Sequence, residues 1–102
     1  MSMRNLFLLA AFAVSASAAT MSGWISDASC GAGNANGKAE SRECAARCIK
    51  SGAAPVFVND ADQKVYKIAG PVKATDHLSH KVKVSGDVQG DTLTIKEIKA
   101  AD

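Results

Sequence analysis

The chain carries three cysteines, Cys30, Cys44 and Cys48, within a single stretch, CGAGNANGKAESRECAARC. Thiols spaced this closely can pair as a disulfide, bind a soft metal ion, or exchange disulfides with another molecule. An odd number of cysteines leaves at least one thiol outside any internal bridge. Which chemistry applies depends on the compartment in which the chain folds and on the elements that hold the three side chains.

The first 18 residues predict a secretory signal peptide. Arg4 is followed by the apolar run LFLLAAFAV and the small-residue run SASAAT, an order typical of a leader that is removed on export. The apolar run is shorter than the roughly 20 residues that cross a bilayer, so no membrane span is expected. Cleavage before Ala19, or one residue later, would leave residues 19–102 as one periplasmic or secreted domain, in which a disulfide can persist.

Residues 19–102 predict one strand, one helix and then four strands. MSGWIS has the composition of a strand, and SRECAARCIKSG predicts a helix over about residues 41–51, with Ser41 as its N-cap and Gly52 in the left-handed position after its end. The connector VKATDHLSH predicts a loop or one short helical turn. Two β-hairpins are expected on either side of it, APVFVND with KVYKIAG and HKVKVSGDV with TLTIKEI.

This order of elements predicts a mainly β fold with one short α-helix. Five short strands favour a partly open barrel of the OB type, and a small α+β sheet or a β-sandwich would give the same order. In the barrel, the cysteine helix would lie in the connection after the first strand. Loops in that region often form the binding surface of such barrels.

Four segments resemble a family of small exported bacterial OB-fold-like proteins of unknown function. They are GWISDASCG, CAARCIKSGAAPVFV, KVYKIAG and HKVKVSGDVQGDTLTIKEI, which contain D-x-x-C-G, C-x-x-x-C and H-K-V-x-V-x-G. The resemblance extends over nearly all of residues 19–102, and it implies an extracytoplasmic barrel without implying an activity. Members of the family often carry a histidine shortly after the C-G pair, where this chain has AGNANG.

The helix spacing favours a disulfide that involves Cys30. Cys44 and Cys48 lie four residues apart on one helix face, where Cβ atoms are about 5–6 Å apart, whereas a disulfide prefers about 3.5–4.5 Å. Either could pair with Cys30, and Cys48 is slightly preferred because helical side chains tilt toward the N-terminus. Cys44 would then be the free thiol, either buried and inert or reactive. A bridge that closes a loop of about 15 residues contributes roughly 3 kcal/mol in the chain-entropy model.

Metal binding and thiol redox chemistry are the alternatives. Copper(I) or zinc would be the metal, although the paired C-x-x-C elements of zinc fingers are absent. Asp27 could add an oxygen ligand, but it is expected to cap or turn the loop after the first strand. The candidate ligands are Cys30, Cys44, Cys48, His77 and His80.

Composition and motifs narrow the function class. The formal net charge of the whole chain is +2, lysines are interspersed with acids, and the alternating positions of the last hairpin carry no aromatics, so a nucleic-acid site is not expected. Motifs of hydrolases, metalloproteases and nucleotide-binding loops are also missing. The sequence therefore predicts an exported, non-enzymatic binding or envelope-interaction domain that is stabilised by a disulfide and needs no cofactor. Its partner would be an envelope protein or a small molecule.

Overall fold

The computed structural model describes residues 17–101. Residues 1–16, most of the predicted signal peptide, lie outside the described part. The elements, in chain order, are strand β1 (Ser17–Asp27), a 3-10 turn (Gly31–Asn34), helix α1 (Ala39–Lys50), strands β2 (Pro55–Asn59) and β3 (Val65–Ala69), a second 3-10 turn (Ala74–His77), and strands β4 (Lys81–Gln89) and β5 (Thr92–Ala100).

The five strands close into a barrel in the order β1-β2-β3-β5-β4. β1 is long enough to pair antiparallel with β4 along most of its length and with β2 through its C-terminal half. Closure is completed where β3 pairs in parallel with β5. The predicted five-stranded OB-like barrel is confirmed, and it is closed rather than partly open because this parallel pairing joins the two hairpins.

Alternating apolar residues fill the barrel. Val82 and Val84 on β4, and Leu93 and Ile95 on β5, are fully buried, as the alternation of these strands predicts. Phe57 of β2 joins them in the same cluster. Burying a side chain of this size contributes about 1.5–3 kcal/mol. Nearly all of the residues in this core cluster come from strands.

The two ends of α1 differ in how the neighbouring backbone groups are hydrogen-bonded. The helix begins at Ala39, and Ser41 is buried inside it, so the predicted N-cap at Ser41 is wrong. The turn before the helix is organised instead by Asn36, whose side-chain oxygen accepts from the N–H of Lys38 at 2.9 Å. At the other end Gly52 has φ +105, as predicted. The N–H groups of Gly52 and Ala53 bond to the carbonyls three and five residues earlier, at 3.0 and 2.9 Å, which is the Schellman arrangement.

Helix α1 is attached to the barrel by little apolar surface. Ser41 and Ala45 are its buried residues, both of them small. Most of its other side chains are exposed to solvent. The helix is therefore held in place mainly by contacts other than hydrophobic burial.

Among residues 17–101, no helix combines the length and apolar character that a membrane span requires.

The bulge between Ser85 and Gly86 of β4 gives a direct test of barrel closure. A Cβ at Gly86 would overlap the backbone of Thr94 on β5, and overpacking of this kind typically costs about 1–3 kcal/mol. We expect Gly86→Ala to lower the free energy of unfolding by roughly 2 kcal/mol, measured by denaturant titration. In Gly37→Ala the new Cβ would lie 3.8 Å from the Trp24 ring, so this control should change stability by less than about 0.5 kcal/mol. Equal losses in both variants would contradict the close strand approach.

Candidate functional site

The loop after β1 is organised by the carboxylate of Asp27, the last residue of that strand. Asp27 is 0 % exposed. Its Oδ2 accepts from the backbone N–H of Cys30 at 3.0 Å, and its Oδ1 accepts from the side-chain amide of Asn34 at 2.8 Å. A buried carboxylate is stable only when such donors replace water. The prediction that Asp27 turns the loop after the first strand is confirmed.

A second hydrogen bond supports the same loop. The hydroxyl of Ser26 donates to the carbonyl of Gly31 at 2.8 Å in a buried position. Gly31 has φ +50, a left-handed conformation that glycine adopts with little strain. The chain can therefore turn directly after Cys30 and bring Asn34 back beneath the strand end.

Cys30, Cys44 and Cys48 are brought together by this loop and by α1. Cys30 lies in the loop and is exposed, whereas Cys44 and Cys48 are half-buried on one face of the helix. All three are free thiols, near one another but not within disulfide distance. The Cys44 thiol interacts with both of the others and is the central sulfur of the group. We refer to Asp27, Asn34 and these three cysteines as the thiol cluster.

The contacts of Cys44 favour its thiolate form. The Asn34 amide, and after it the Cys30 thiol, lower the pKa of Cys44 despite its partial burial. The Cys48 thiol and the positive charge of Arg47 act in the same direction. Cys44 is therefore the thiol of the cluster that ionises first.

The other two thiols are shifted in the opposite direction. Hydrogen bonding with Cys44 is the main reason that the pKa of Cys30 is raised. For Cys48, burial is the largest cause of a raised pKa, and the negative charge of Asp27 is the second. The pKa of the central thiol, Cys44, is therefore lower than that of an ordinary cysteine, whereas the pKa values of Cys30 and Cys48 are higher.

The pKa of Asp27 itself is lowered. Burial alone would raise it, but the hydrogen bonds from the Asn34 amide, from the Cys30 N–H and from the Cys48 thiol outweigh that effect. Cys48 thus donates toward Asp27, while Cys30 interacts with Cys44. The preference for Cys48 as the partner of Cys30 stays a prediction, and the contact between Cys30 and Cys44 favours the other choice that the sequence left open.

The histidines belong to a different part of the chain. His77 ends the second 3-10 turn and is half-buried, and His80 is exposed just before β4. In residues 17–101, no group of three or more His, Cys, Asp or Glu side chains is arranged to hold a metal ion. A metal bound by the cysteines and histidines together would therefore require these side chains to move.

A shallow hollow of about 370 Å³ opens beside the cluster. Ser29, Arg47 and Cys48 line it, together with Ser51 and Ala53 at the end of the helix region. Cys48 therefore lies at a surface depression that solvent and small reagents can enter.

Asn34 is the residue of the cluster that sequence reasoning missed. Its segment, AGNANG, has the composition of a turn, and nothing local marks one asparagine as different from the other. In the structure Asn34 is buried, and its amide lies between the Asp27 carboxylate and the Cys44 sulfur. These partners are seven and ten positions away along the chain, so the available signal was weak.

Comparison of the chain with protein-family models, with curated proteins and with solved structures gives no match.

Replacing the Asp27 carboxylate tests its role in the loop. Asp27→Asn places the new side-chain amide against the amide of Asn34 and removes the negative charge that accepts hydrogen bonds from three donors. We expect a loss of about 2 kcal/mol in the free energy of unfolding near neutral pH. Asp62→Asn is the matched control, because Asp62 accepts only a turn N–H, from Lys64, in an exposed position. It should cost less than about 0.5 kcal/mol.

The difference between wild type and Asp27→Asn should also depend on pH. The folded-state pKa of Asp27 is lowered, so its stabilisation is complete above the unfolded-state pKa of about 3.9 and is lost as pH falls through the folded-state pKa. Denaturant titrations should give a constant difference at pH 5–7 and a shrinking one in more acidic buffer. A difference that does not change with pH would contradict a role for the carboxylate charge.

Proposed function

We propose that the chain is an exported, non-enzymatic binding domain in which a disulfide between Cys30 and Cys44 fastens helix α1 to the loop after β1. The observation that carries the proposal is that the loop and the helix bring these two thiols near each other, although not to disulfide distance, and that they interact within the cluster. Its partner would be an envelope protein or a small molecule that binds the surface formed by the loop and the helix.

The contacts of the third cysteine support this pairing. Cys48 hydrogen-bonds to Asp27, and a bond from Cys48 to Cys44 would need a closer approach than four residues on a regular helix allow. Cys44 is the sulfur that interacts with Cys30, and the two must approach more closely for a bond to form. Bond formation removes two protons and two electrons from the thiols, and the electrons pass to a disulfide supplied by an oxidising compartment.

The weak attachment of α1 supports a fastening role for the bond. Because Ser41 and Ala45 contribute little apolar burial, the helix gains most from a covalent link to the loop that precedes it. A disulfide across this loop would contribute about 3 kcal/mol in the chain-entropy model. Fastening would also keep the exposed face of the helix in one orientation, which reduces the ordering cost of binding a partner.

The pairing can be read directly from peptide masses. The full-length coding sequence is expressed with export, and the protein is purified without reductant and alkylated before digestion with trypsin. Cleavage after Lys38, Arg42 and Arg47 places the three cysteines on three different peptides. We expect the peptide with Cys30 to be linked to Glu43–Arg47, and Cys48 to be alkylated because the hollow beside it admits the reagent.

The same digest separates the competing outcomes. A link between Cys30 and the peptide of Cys48 would contradict the proposed pairing and confirm the one preferred from helix geometry. Three thiols that become alkylatable only after a chelator is added, with copper or zinc found by metal analysis, would replace the proposal with the metal-binding alternative. Three thiols that are alkylated without a chelator would show that no disulfide forms.

A further inference from the structure

We propose that the Cys30–Cys44 bond is exchangeable: a thiolate of an exported protein with two reduced cysteines attacks the exposed Cys30 sulfur, and Cys44 leaves as the thiolate. This inference rests on the pairing proposed above, and it assigns a direction of attack and a class of partner to the same site. It turns a structural bridge into a disulfide donor.

The difference in exposure between the two sulfurs sets the point of attack. Cys30 is exposed in the loop, whereas Cys44 is half-buried on helix α1. Exchange requires the incoming thiolate to reach one sulfur while the other departs, so access is a main control on which sulfur is attacked. An attacking protein can reach Cys30 without displacing α1, and it cannot reach Cys44 as readily.

The surroundings of Cys44 suit a leaving thiolate. Its sulfur interacts with the Asn34 amide, with Cys48 and with the charge of Arg47, and these contacts lower its pKa. A thiol of low pKa leaves faster in disulfide exchange. The Asn34 amide is itself held by the Asp27 carboxylate at 2.8 Å, so the donor is already oriented before the bond breaks.

The atoms and electrons balance over two steps. In the first, a bond forms between the partner sulfur and Cys30, the Cys30–Cys44 bond breaks, and Cys44 keeps the electron pair. In the second, the partner's other thiolate attacks its own sulfur in the mixed disulfide, and Cys30 departs with the electron pair and takes a proton from water. The partner's two thiols are oxidised to a disulfide, and the Cys30–Cys44 bond is reduced to one thiol and one thiolate.

The free-thiol state keeps the loop closed and holds the Cys30 and Cys44 sulfurs near each other, although not at disulfide distance. All three cysteines are free in the structure, yet the loop is closed by the Asp27 hydrogen bonds and Cys30 remains beside Cys44. The reduced protein therefore keeps its loop and its barrel without the bond, and bond formation needs the two sulfurs to approach each other more closely.

A monothiol probe tests the direction of attack. Glutathione is added to the oxidised full-length product, the reaction is stopped with acid at short times, and free thiols are alkylated before trypsin digestion. We expect the glutathione adduct on the peptide that contains Cys30, and an alkylated thiol on Glu43–Arg47. Because glutathione has one thiol, the mixed disulfide cannot complete the second step within one molecule, and it accumulates.

The outcomes distinguish this inference from the proposed function. If the protein contains the Cys30–Cys44 bond but glutathione is found on Cys44, or no adduct forms over hours, the direction or the exchange is wrong and the pairing stands. If the protein contains no Cys30–Cys44 bond before glutathione is added, both proposals fail. A peptide with two cysteines, added in place of glutathione, should be recovered with its own disulfide.

The pH dependence of Cys44 alkylation provides a second measurement, which would not change if Asn34 affected only the stability of the fold. In the reduced protein, Cys44 alkylation should begin at lower pH than that of Cys30 or Cys48, and Asn34→Ala should shift its midpoint to higher pH and slow the glutathione reaction several-fold. Asn34→Ser, which keeps one donor, should give an intermediate midpoint. The control Asn36→Ala removes an amide from the same loop and should leave the Cys44 profile unchanged. An unchanged midpoint in Asn34→Ala, with a normal melting curve, would overturn the assigned role of the amide.

Discussion

The buried carboxylate of Asp27 is the interaction on which the thiol cluster depends. An ionised group without solvent exposure is costly unless donors surround it, and here the donors come from the Cys30 N–H, the Asn34 amide and the Cys48 thiol. One charge at the end of β1 therefore fixes a loop residue, the 3-10 turn and the helix relative to the barrel. Without it, the loop would keep the hydrogen bond from the Ser26 hydroxyl to the Gly31 carbonyl but would lose its contacts with the carboxylate.

The same charge influences the relative pKa values of the three thiols. A negative group opposes the formation of another nearby, so Asp27 disfavours thiolates at Cys48 and at Cys30. The Asn34 amide transmits the opposite influence, because it donates to Asp27 and also stabilises negative charge at Cys44. Among the three thiols, the pKa is therefore lowered at Cys44 alone, by the neutral amide of Asn34, which the Asp27 carboxylate orients. Protonation of Asp27 would weaken both effects.

The features that sequence could predict are those encoded by local pattern. Alternation on β4 and β5 identified Val82, Val84, Leu93 and Ile95 as the core face, and Gly52 marked the helix end because few other residues adopt its φ. Closure of the barrel by the parallel β3–β5 pair, and the role of Asn34, depend on contacts that form only when distant segments meet. The N-cap at Ser41 failed for a related reason: Asn36 and the preceding loop organise the helix start two residues earlier, and Ser41 is buried.

The barrel and helix α1 are stabilised by different kinds of contact. Buried strand residues form the core, and helix α1 contributes two small side chains to burial. The contacts that link the helix to the loop after β1 include those of the Cys44 and Cys48 thiols with Asn34, Cys30 and Asp27, whereas the barrel core consists of apolar side chains. The position of the helix therefore depends on the thiol cluster, whereas the register of the strands depends on the barrel core.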